Sequence, residues 1–160
     1  MCSSDLHSLG GMLLPTILAR HPEVAAGISL AGSPRDLFDI MTDQADAQIQ
    51  SSDAGDDEKA SARAIQSAAL AAAKALTDPN GEPILGMPAS YIVSLNQMHA
   101  RLPDDVAAIG VLVLVLQGGA DAQVYPDKDY PAWRSVLDGK QTNYGLFDRL
   151  NHIEDRKSVV

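Results

Sequence analysis

His7-Ser8-Leu9-Gly10-Gly11 is the most informative segment of this 160-residue chain. A serine followed by small residues, just ahead of a helical pattern, predicts a sharp turn from a strand into a helix. The backbone of such a turn is strained and passes close to its neighbours, so glycines fit where larger side chains would clash. The same residues occur in ordinary helix starts, where Ser8 would only cap the helix. The segment therefore indicates a nucleophile elbow or a helix cap, and residues downstream must decide between them.

Composition limits the possible functions. Hydrophobic residues make up 46% of the chain, enough for one modest domain with a core, and the net charge of -9 argues against binding nucleic acid or an anionic membrane. Cys2 is the only cysteine, which excludes an internal disulfide and a cysteine-based metal site. No apolar run approaches the roughly 20 residues of a membrane span.

We predict no metal or cofactor. The chain contains an acidic run, but its spacing does not fit a calcium-binding loop. That run consists of Asp53, Asp56, Asp57 and Glu58.

Both ends of the chain differ in character from the rest. Codons can be chosen for residues 2–6 and 154–160 so that the two ends share AGATCGGAAGAGC as reverse complements. That is the sequence of a common DNA-sequencing adapter. We therefore expect residues 1–6 and 155–160 to be non-native, and residues 7–154 to be a piece of a longer gene. Different codons in the source DNA would refute this hypothesis.

Alternating signals predict an α/β domain with a parallel sheet. Apolar residues recur at helical spacing after Ser8, and short apolar runs bounded by glycine and proline predict strands. The most aliphatic of these runs is typical of a strand covered on both faces by helices. The predicted elements are helices at Leu9–Arg20 and Pro131–Leu137 and strands at Ala25–Ala31, Ile109–Leu116 and Thr142–Phe147.

Residues 35–100 carry helical signals without strand signals, so they predict an insertion. Asp36–Gln50 alternates apolar residues with acids, and Ala60–Leu76 is alanine-rich with high helix propensity. We expect the block to form a helical cap over the end of the sheet. Candidate N-caps of its later helices are Ser52, Asp53 and Ser90.

Ser8, Asp121 and His152 follow one another in the order nucleophile, acid, histidine, and each comes after a predicted strand. A serine hydroxyl is a poor nucleophile until a histidine takes its proton, and a buried carboxylate orients that histidine and stabilises its cation. α/β hydrolases use the same chain order. The sequence therefore predicts a catalytic triad rather than a helix cap.

Other histidines and aspartates compete with His152 and Asp121. None of the other histidines follows a late strand, and we interpret the other aspartates of this region as solvated turn or surface acids. The competitors are His7, His21 and His99, and Asp127, Asp129 and Asp148.

Three motifs resemble the bacterial α/β-hydrolase esterases related to the prolyl oligopeptidase and dienelactone hydrolase group. They are His7–Gly11, Leu116–Val124 (Leu-Gln-Gly-Gly-Ala-Asp-Ala-Gln-Val) and Leu150–His152. Leu85–Tyr91 also resembles the end of the cap inserted in those esterases. The resemblance implies a partial α/β-hydrolase fold with C-terminal parallel strands, flanking helices and a helical cap.

The resemblance also implies a carboxylic ester hydrolase that acts on small, short-acyl esters through an acyl-enzyme. Ser8 would be the nucleophile, Asp121 the orienting acid and His152 the general base, while the backbone N–H of Leu9 would donate to the oxyanion. His7 would shape the substrate pocket. We interpret Tyr91 as cap core and as a candidate for lining the acyl pocket.

Three departures from the family pattern matter. Leu6 replaces the elbow glycine, the strand leading into the elbow is absent, and so is the upstream loop that gives the second oxyanion donor. A missing donor costs on the order of 100- to 1,000-fold in rate. The strand after the elbow helix would also keep an unpaired edge. We therefore predict that the polypeptide alone is weakly active or inactive and aggregates.

Alternatives remain at this stage. A serine peptidase or thioesterase shares the triad chemistry, because the pocket selects the substrate. A non-catalytic hydrolase-like binding domain, or a helical interaction module built on the alanine-rich segment, would lie outside enzymes. The acyl preference, the oligomeric state and the compartment stay open, since a signal peptide would lie upstream of His7.

Overall fold

The computed structural model describes residues 2–153, with side chains from Leu6 onward. The chain forms two compact units. The first contains the segments up to Arg35 and from Arg101 onward, and the second is Asp36–Ala100. Of the two ends predicted to be non-native, residues 2–6 form most of a strand, and residues 155–160 lie outside the described residues.

The first unit is an α/β layer structure. Its four strands are all parallel and lie in the order β1-β2-β3-β4. Helices connect or follow the strands, as parallel pairing requires. Its elements are β1 (Cys2–His7), α1 (Leu9–Arg20), β2 (Val24–Leu30), α5 (Leu102–Ala108), β3 (Leu112–Gly118), α6 (Pro126–Val136) and β4 (Thr142–Phe147).

One hydrophobic cluster joins the helices of this unit to the sheet. Leu14 of α1 and Trp133 of α6 are almost wholly buried and pack in the same cluster as Val113 and Val115 of β3. The side chains that alternate with them along β3 keep partial exposure, and Leu112 is 43% exposed. The prediction that this strand is covered on both faces is therefore wrong. An aliphatic run shows that a strand can be buried, but not what covers it.

A strand does lead into the elbow, so its predicted absence is also wrong. β1 pairs in parallel with β2, with His7 opposite Leu30. The edge of β2 that we expected to be unpaired is therefore occupied. Sheet hydrogen bonds join main-chain groups, so a segment of mixed polarity such as Cys2–His7 pairs although it lacks a strand-like apolar pattern.

Other boundaries shift by a few residues. The sequence predicted a strand from Ile109, but the strand begins at Leu112, after a short helix that the prediction missed. Helix α6 begins at Pro126, five residues before the predicted start, with a proline in its first turn where no intrahelical N–H is needed. The strand Thr142–Phe147 has its predicted bounds.

The second unit is helical, with α2 (Leu37–Ser51), α3 (Asp56–Ala75) and α4 (Ala89–Ala100) around a core of Phe38, Leu70, Ala73 and Ile92. Asp36 caps α2 by accepting the N–H of Phe38 at 2.7 Å. Helix α3 is capped at Gly55, whose N–H donates to Glu58, so the predicted caps Ser52 and Asp53 are wrong. The prediction that the second unit forms a cap over the sheet stays a prediction.

Candidate active site

Ser8 lies at the turn between β1 and α1 with a positive φ of 55°, which residues other than glycine rarely adopt. Its backbone N–H donates to the carbonyl of Leu30 at 2.8 Å, which fixes the turn to the neighbouring strand. A Cβ on Gly11 would lie 2.9 Å from the Cα of Gly32 as well as 2.6 Å from Ser29 Oγ, so glycine is required there. A Cβ on Gly10 would make only ordinary contact with the Leu6 side chain, the nearest atom at 3.5 Å. The expectation of a clash therefore holds for Gly11 and is wrong for Gly10.

Asp121 lies in the loop after β3 and is only 5% exposed. Its Oδ1 accepts the backbone N–H groups of Gln123 and Val124 at 2.8 and 3.0 Å. Its Oδ2 accepts the side-chain amide of Gln117 at 3.0 Å and faces Nδ1 of His152 at 2.9 Å. Four donors thus hold the carboxylate in one orientation.

These contacts decide the charge of Asp121. Burial raises the pKa of the carboxyl, but the hydrogen bond to His152, the amides of Val124 and Gln123 and the charge of His152 outweigh it, so the pKa is lowered. The amide of Gln117 favours the ionised form in the same way. Asp121 is therefore an anion at neutral pH.

His152 joins the other two residues. Its Nε2 lies 2.9 Å from Ser8 Oγ, and its ring is largely buried. Because ionised Asp121 can only accept, Nδ1 carries the proton of the neutral ring, and Nε2 keeps the lone pair that faces the hydroxyl. Of the three side chains predicted from the sequence to form a triad, His152 thus lies within hydrogen-bonding distance of both Ser8 and Asp121.

The loop that carries His152 is packed tightly on the end of β3. A Cβ on Gly118 would lie 2.3 Å from the carbonyl oxygen of Leu150, and one on Gly119 would lie 2.7 Å from the Cα of Asp148. The Ala120 N–H donates to the Leu150 carbonyl at 3.0 Å. The sequence marked Gly118 and Gly119 only as part of a motif. Here they let two loops from neighbouring strands touch.

Leu9 and Tyr91 were also predicted to belong to the site. Leu9 is the first residue of α1, at the helix end where backbone N–H groups lack an intrahelical acceptor. Tyr91 lies on α4 in the second unit and is 41% exposed, so its interpretation as cap core is wrong. Its place in an acyl pocket stays a prediction.

Asp129 is not the solvated acid that we expected from its sequence context. It is fully buried on α6, where Oδ1 accepts the Ser33 hydroxyl at 2.5 Å and lies 3.4 Å from Nη1 of Arg35. Trp133, one turn further along α6, donates to the carbonyl of Gly32 at 2.9 Å. These partners come from almost 100 residues away, so local sequence gave no signal for them. They attach the loop after β2 to α6.

An open depression of about 220 Å³ adjoins the imidazole. Its lining residues are Ala120, Ala122, Gln123, Asn151, His152 and Ile153. Within residues 2–153, no cluster of metal-ligating side chains is found, and no helix of this part is long and apolar enough to cross a membrane.

Neither a family model nor a curated protein matches the chain, but 108 chains of solved structures do. The Paleococcus ferrophilus monoacylglycerol lipase is 16% identical with a TM-score of 0.51, over 94% of this chain and 59% of that one. The esterase domain from a Rhodothermus marinus protein is 16% identical with a TM-score of 0.54, over 96% and 53%. A puromycin-hydrolyzing peptidase of Mycobacterium tuberculosis is 19% identical with a TM-score of 0.53, over 94% and 18%.

These similarities define the class of fold. The chain has part of the α/β-hydrolase fold, and the predicted α/β class is confirmed. It spans between half and three fifths of the length of the lipase and esterase chains that it matches.

Proposed function

We propose that the chain carries the catalytic triad of a serine hydrolase that cleaves small carboxylic esters through an acyl-enzyme. One observation supports this most strongly. A continuous series of contacts runs from Ser8 Oγ to His152 Nε2 and from His152 Nδ1 to Asp121 Oδ2, each 2.9 Å long. The order of donors and acceptors along it is the one that base-assisted attack by serine requires.

In the first step, Ser8 Oγ attacks the ester carbonyl while Nε2 of His152 takes the hydroxyl proton. The electron pair of the carbonyl moves to its oxygen, and the imidazole becomes a cation that ionised Asp121 stabilises. The Leu9 N–H and the positive end of the α1 dipole lie beside Ser8, where they would favour the new negative charge. The bond to the leaving oxygen then breaks, and that oxygen takes the proton from Nε2.

The second step regenerates the enzyme. A water molecule gives a proton to Nε2 of His152 and attacks the acyl carbon, and the ester bond to Ser8 Oγ breaks as the serine recovers its proton. The carboxylic acid leaves. Each proton moves on and off the same nitrogen, so one imidazole serves as base and then as acid in both halves.

The proposed substrate class, small esters, is supported by the surroundings of His152 and by the fold neighbours. The open depression of about 220 Å³ beside its ring has room for a short acyl or alcohol group next to the imidazole. A lipase and an esterase domain are among the similar structures, and so is a peptidase. Esters are favoured because their alkoxide leaving group departs more easily than the nitrogen leaving group of an amide. A triad with one identified oxyanion donor should therefore cleave esters faster than amides.

The catalytic rate of this polypeptide is expected to be low. Leu9 is the only oxyanion donor that we identify in the described residues, and the chains it resembles are longer. A second donor is worth on the order of 100- to 1,000-fold in rate. Turnover of a short-chain nitrophenyl ester at rates typical of esterases would contradict this expectation.

The test is covalent labelling with a fluorophosphonate, which reacts with a serine activated by a histidine. We expect labelling of the purified chain, loss of the label in Ser8→Ala and in His152→Ala, and unchanged labelling in Ser135→Ala, a control on the exposed face of α6. Labelling that persists in Ser8→Ala, or no labelling of the folded wild-type chain, would refute the proposal and favour a non-catalytic binding domain.

A panel of nitrophenyl esters, acyl thioesters and aminoacyl amides then separates the substrate classes. We expect short-chain esters to be cleaved fastest. If the amides are cleaved faster than every ester of the panel, a peptidase is the better assignment, and if the thioesters are, a thioesterase is. The rate of Ser8→Ala with the same substrate serves as the background for each measurement.

A further inference from the structure

His7 makes a contact that the triad mechanism does not use. Its Nε2 lies 2.7 Å from the backbone carbonyl oxygen of His152, across 145 positions of sequence. The two rings also face each other, with centroids 4.9 Å apart and planes tilted by 54°. His7 is the last residue of β1 and directly precedes Ser8.

We propose that His7 is a positioning residue, which holds the main chain of His152 against the strand that carries the nucleophile. The proposal rests on the proposed function above. In this proposal His7 acts on the catalytic histidine, because its Nε2–H, the one N–H of the neutral ring, is used by the carbonyl of His152.

The chemistry of the contact fixes its direction. A carbonyl oxygen can only accept, so Nε2 of His7 must carry the hydrogen, and the neutral ring is held in a single tautomer. At 2.7 Å, the distance is at the short end of the range for N–H···O bonds in proteins.

The position of His152 explains why such a contact is needed. β4 ends at Phe147, and the loop beyond it is fixed by Leu150, whose N–H donates to Phe147 and whose carbonyl accepts from Ala120. His152 lies two residues further on, beyond these main-chain bonds. His7 holds its carbonyl, so its main chain does not depend on the imidazole contacts alone.

Two adjacent residues therefore hold His152, one through its ring and the other through its main chain. Ser8 contacts the ring and His7 contacts the main chain, so a shift of the loop relative to the nucleophile must break both bonds. Without His7, the main chain of His152 can shift, and the imidazole then moves relative to both Ser8 Oγ and the carboxylate of Asp121. A misplacement of about 1 Å is enough to reduce a rate by roughly 100-fold.

Paired substitutions separate the N–H donor from the ring. His7→Phe keeps an aromatic ring without the donor, and His7→Gln keeps a donor of similar reach without the ring. His21→Phe is the matched control, since this histidine is exposed near the end of α1 and contacts Glu23. Because the His7 side chain is also exposed, the substitutions should leave the fold intact, which thermal unfolding checks.

We expect the fluorophosphonate labelling rate to fall about 10- to 100-fold in His7→Phe, with recovery to within about three-fold of wild type in His7→Gln and no change in His21→Phe. With an ester substrate, kcat should fall while KM stays constant, because the base is misplaced and the substrate site is not. Equal labelling rates in wild type, His7→Phe and His7→Gln would overturn the proposal, as would equal losses in both His7 variants or a rise in KM alone.

A second measurement does not depend on activity. The proton shared by His152 Nδ1 and Asp121 gives a far-downfield NMR signal when it is protected from exchange. We expect the signal in wild type and His7→Gln and its broadening or loss in His7→Phe. A sharp signal in all variants overturns the positioning role even if Ser8 is labelled. An unlabelled wild type with the expected NMR pattern overturns the proposed function and leaves the positioning contact intact.

Discussion

Gly118→Ala should displace the loop that carries His152 without touching any residue of the triad. The added Cβ would lie 2.3 Å from the carbonyl oxygen of Leu150 and 2.8 Å from that of Asn151. Ordinary contact begins at 3.4 Å, and both neighbours are main-chain atoms that cannot rotate away. Relief therefore requires the loop to move by about 1 Å, which is typical of overpacking a tight site.

The consequence for the triad follows from the distances. His152 comes two residues after Leu150, so it moves with the loop, and its 2.9 Å contact with Ser8 Oγ lengthens beyond hydrogen-bonding range. We expect labelling of Ser8 to slow by about 100-fold, the loss that a misplacement of this size produces. The free energy of unfolding should fall by about 1–3 kcal/mol, as for other overpacked sites.

Fluorophosphonate labelling rates and urea unfolding measure the two effects in parallel. The matched control is Gly110→Ala, because a Cβ on that exposed glycine meets no atom within 4 Å. Wild-type labelling rates in Gly118→Ala would refute the reasoning, since they would mean that the loop accommodates the methyl group without moving the imidazole.

Further outcomes follow from buried carboxylates. Asp121→Asn should slow labelling by up to about 10,000-fold, because an amide can donate to Nδ1 and so favours the wrong tautomer of the imidazole; labelling kinetics at neutral pH check this. The pKa of Asp121 is lowered in the folded chain, so its stabilisation is complete above the unfolded value of about 3.9 and is lost as the pH falls through the folded value. Urea unfolding between pH 7 and pH 3 should therefore show a smaller acid-dependent loss in Asp121→Asn than in wild type. Asp129→Ala should lower the free energy of unfolding by about 2–4 kcal/mol, because it removes the buried acceptor of Ser33 and Arg35. The control Asp127→Ala replaces an exposed acid on the same helix and should lower the free energy of unfolding by less than about 1 kcal/mol.

The parts of the site that could be predicted are those set by local pattern and chain order. Asp121 follows an aliphatic run, and His152 follows the last strand-like segment. In a parallel sheet, the carboxyl ends of strands lie at one edge, so residues after such runs are brought together. That reasoning needs no knowledge of side-chain contacts, and in the structure His152 lies within hydrogen-bonding distance of both Ser8 and Asp121.

The parts that could not be predicted depend on partners distant in sequence. Cys2–His7 lacks a strand-like apolar pattern and becomes a strand through main-chain pairing with β2. Gln117 was given no role, although its amide holds the carboxylate of Asp121. Asp129 looked like a surface acid because nothing near it in sequence reveals Ser33. In each case the deciding partner is found only once the fold is known.

The positive φ of Ser8 lowers the stability of the folded chain at the same residue whose hydroxyl we propose to be reactive. A non-glycine residue in this conformation costs roughly 1–3 kcal/mol. Glycine would relieve it, with part of the gain offset by the greater freedom of glycine in the unfolded chain. The same replacement would remove the hydroxyl that we propose is acylated. A screen for heat-resistant variants of this chain would therefore favour Ser8→Gly, and it must select for covalent labelling at the same time if the survivors are to remain chemically competent.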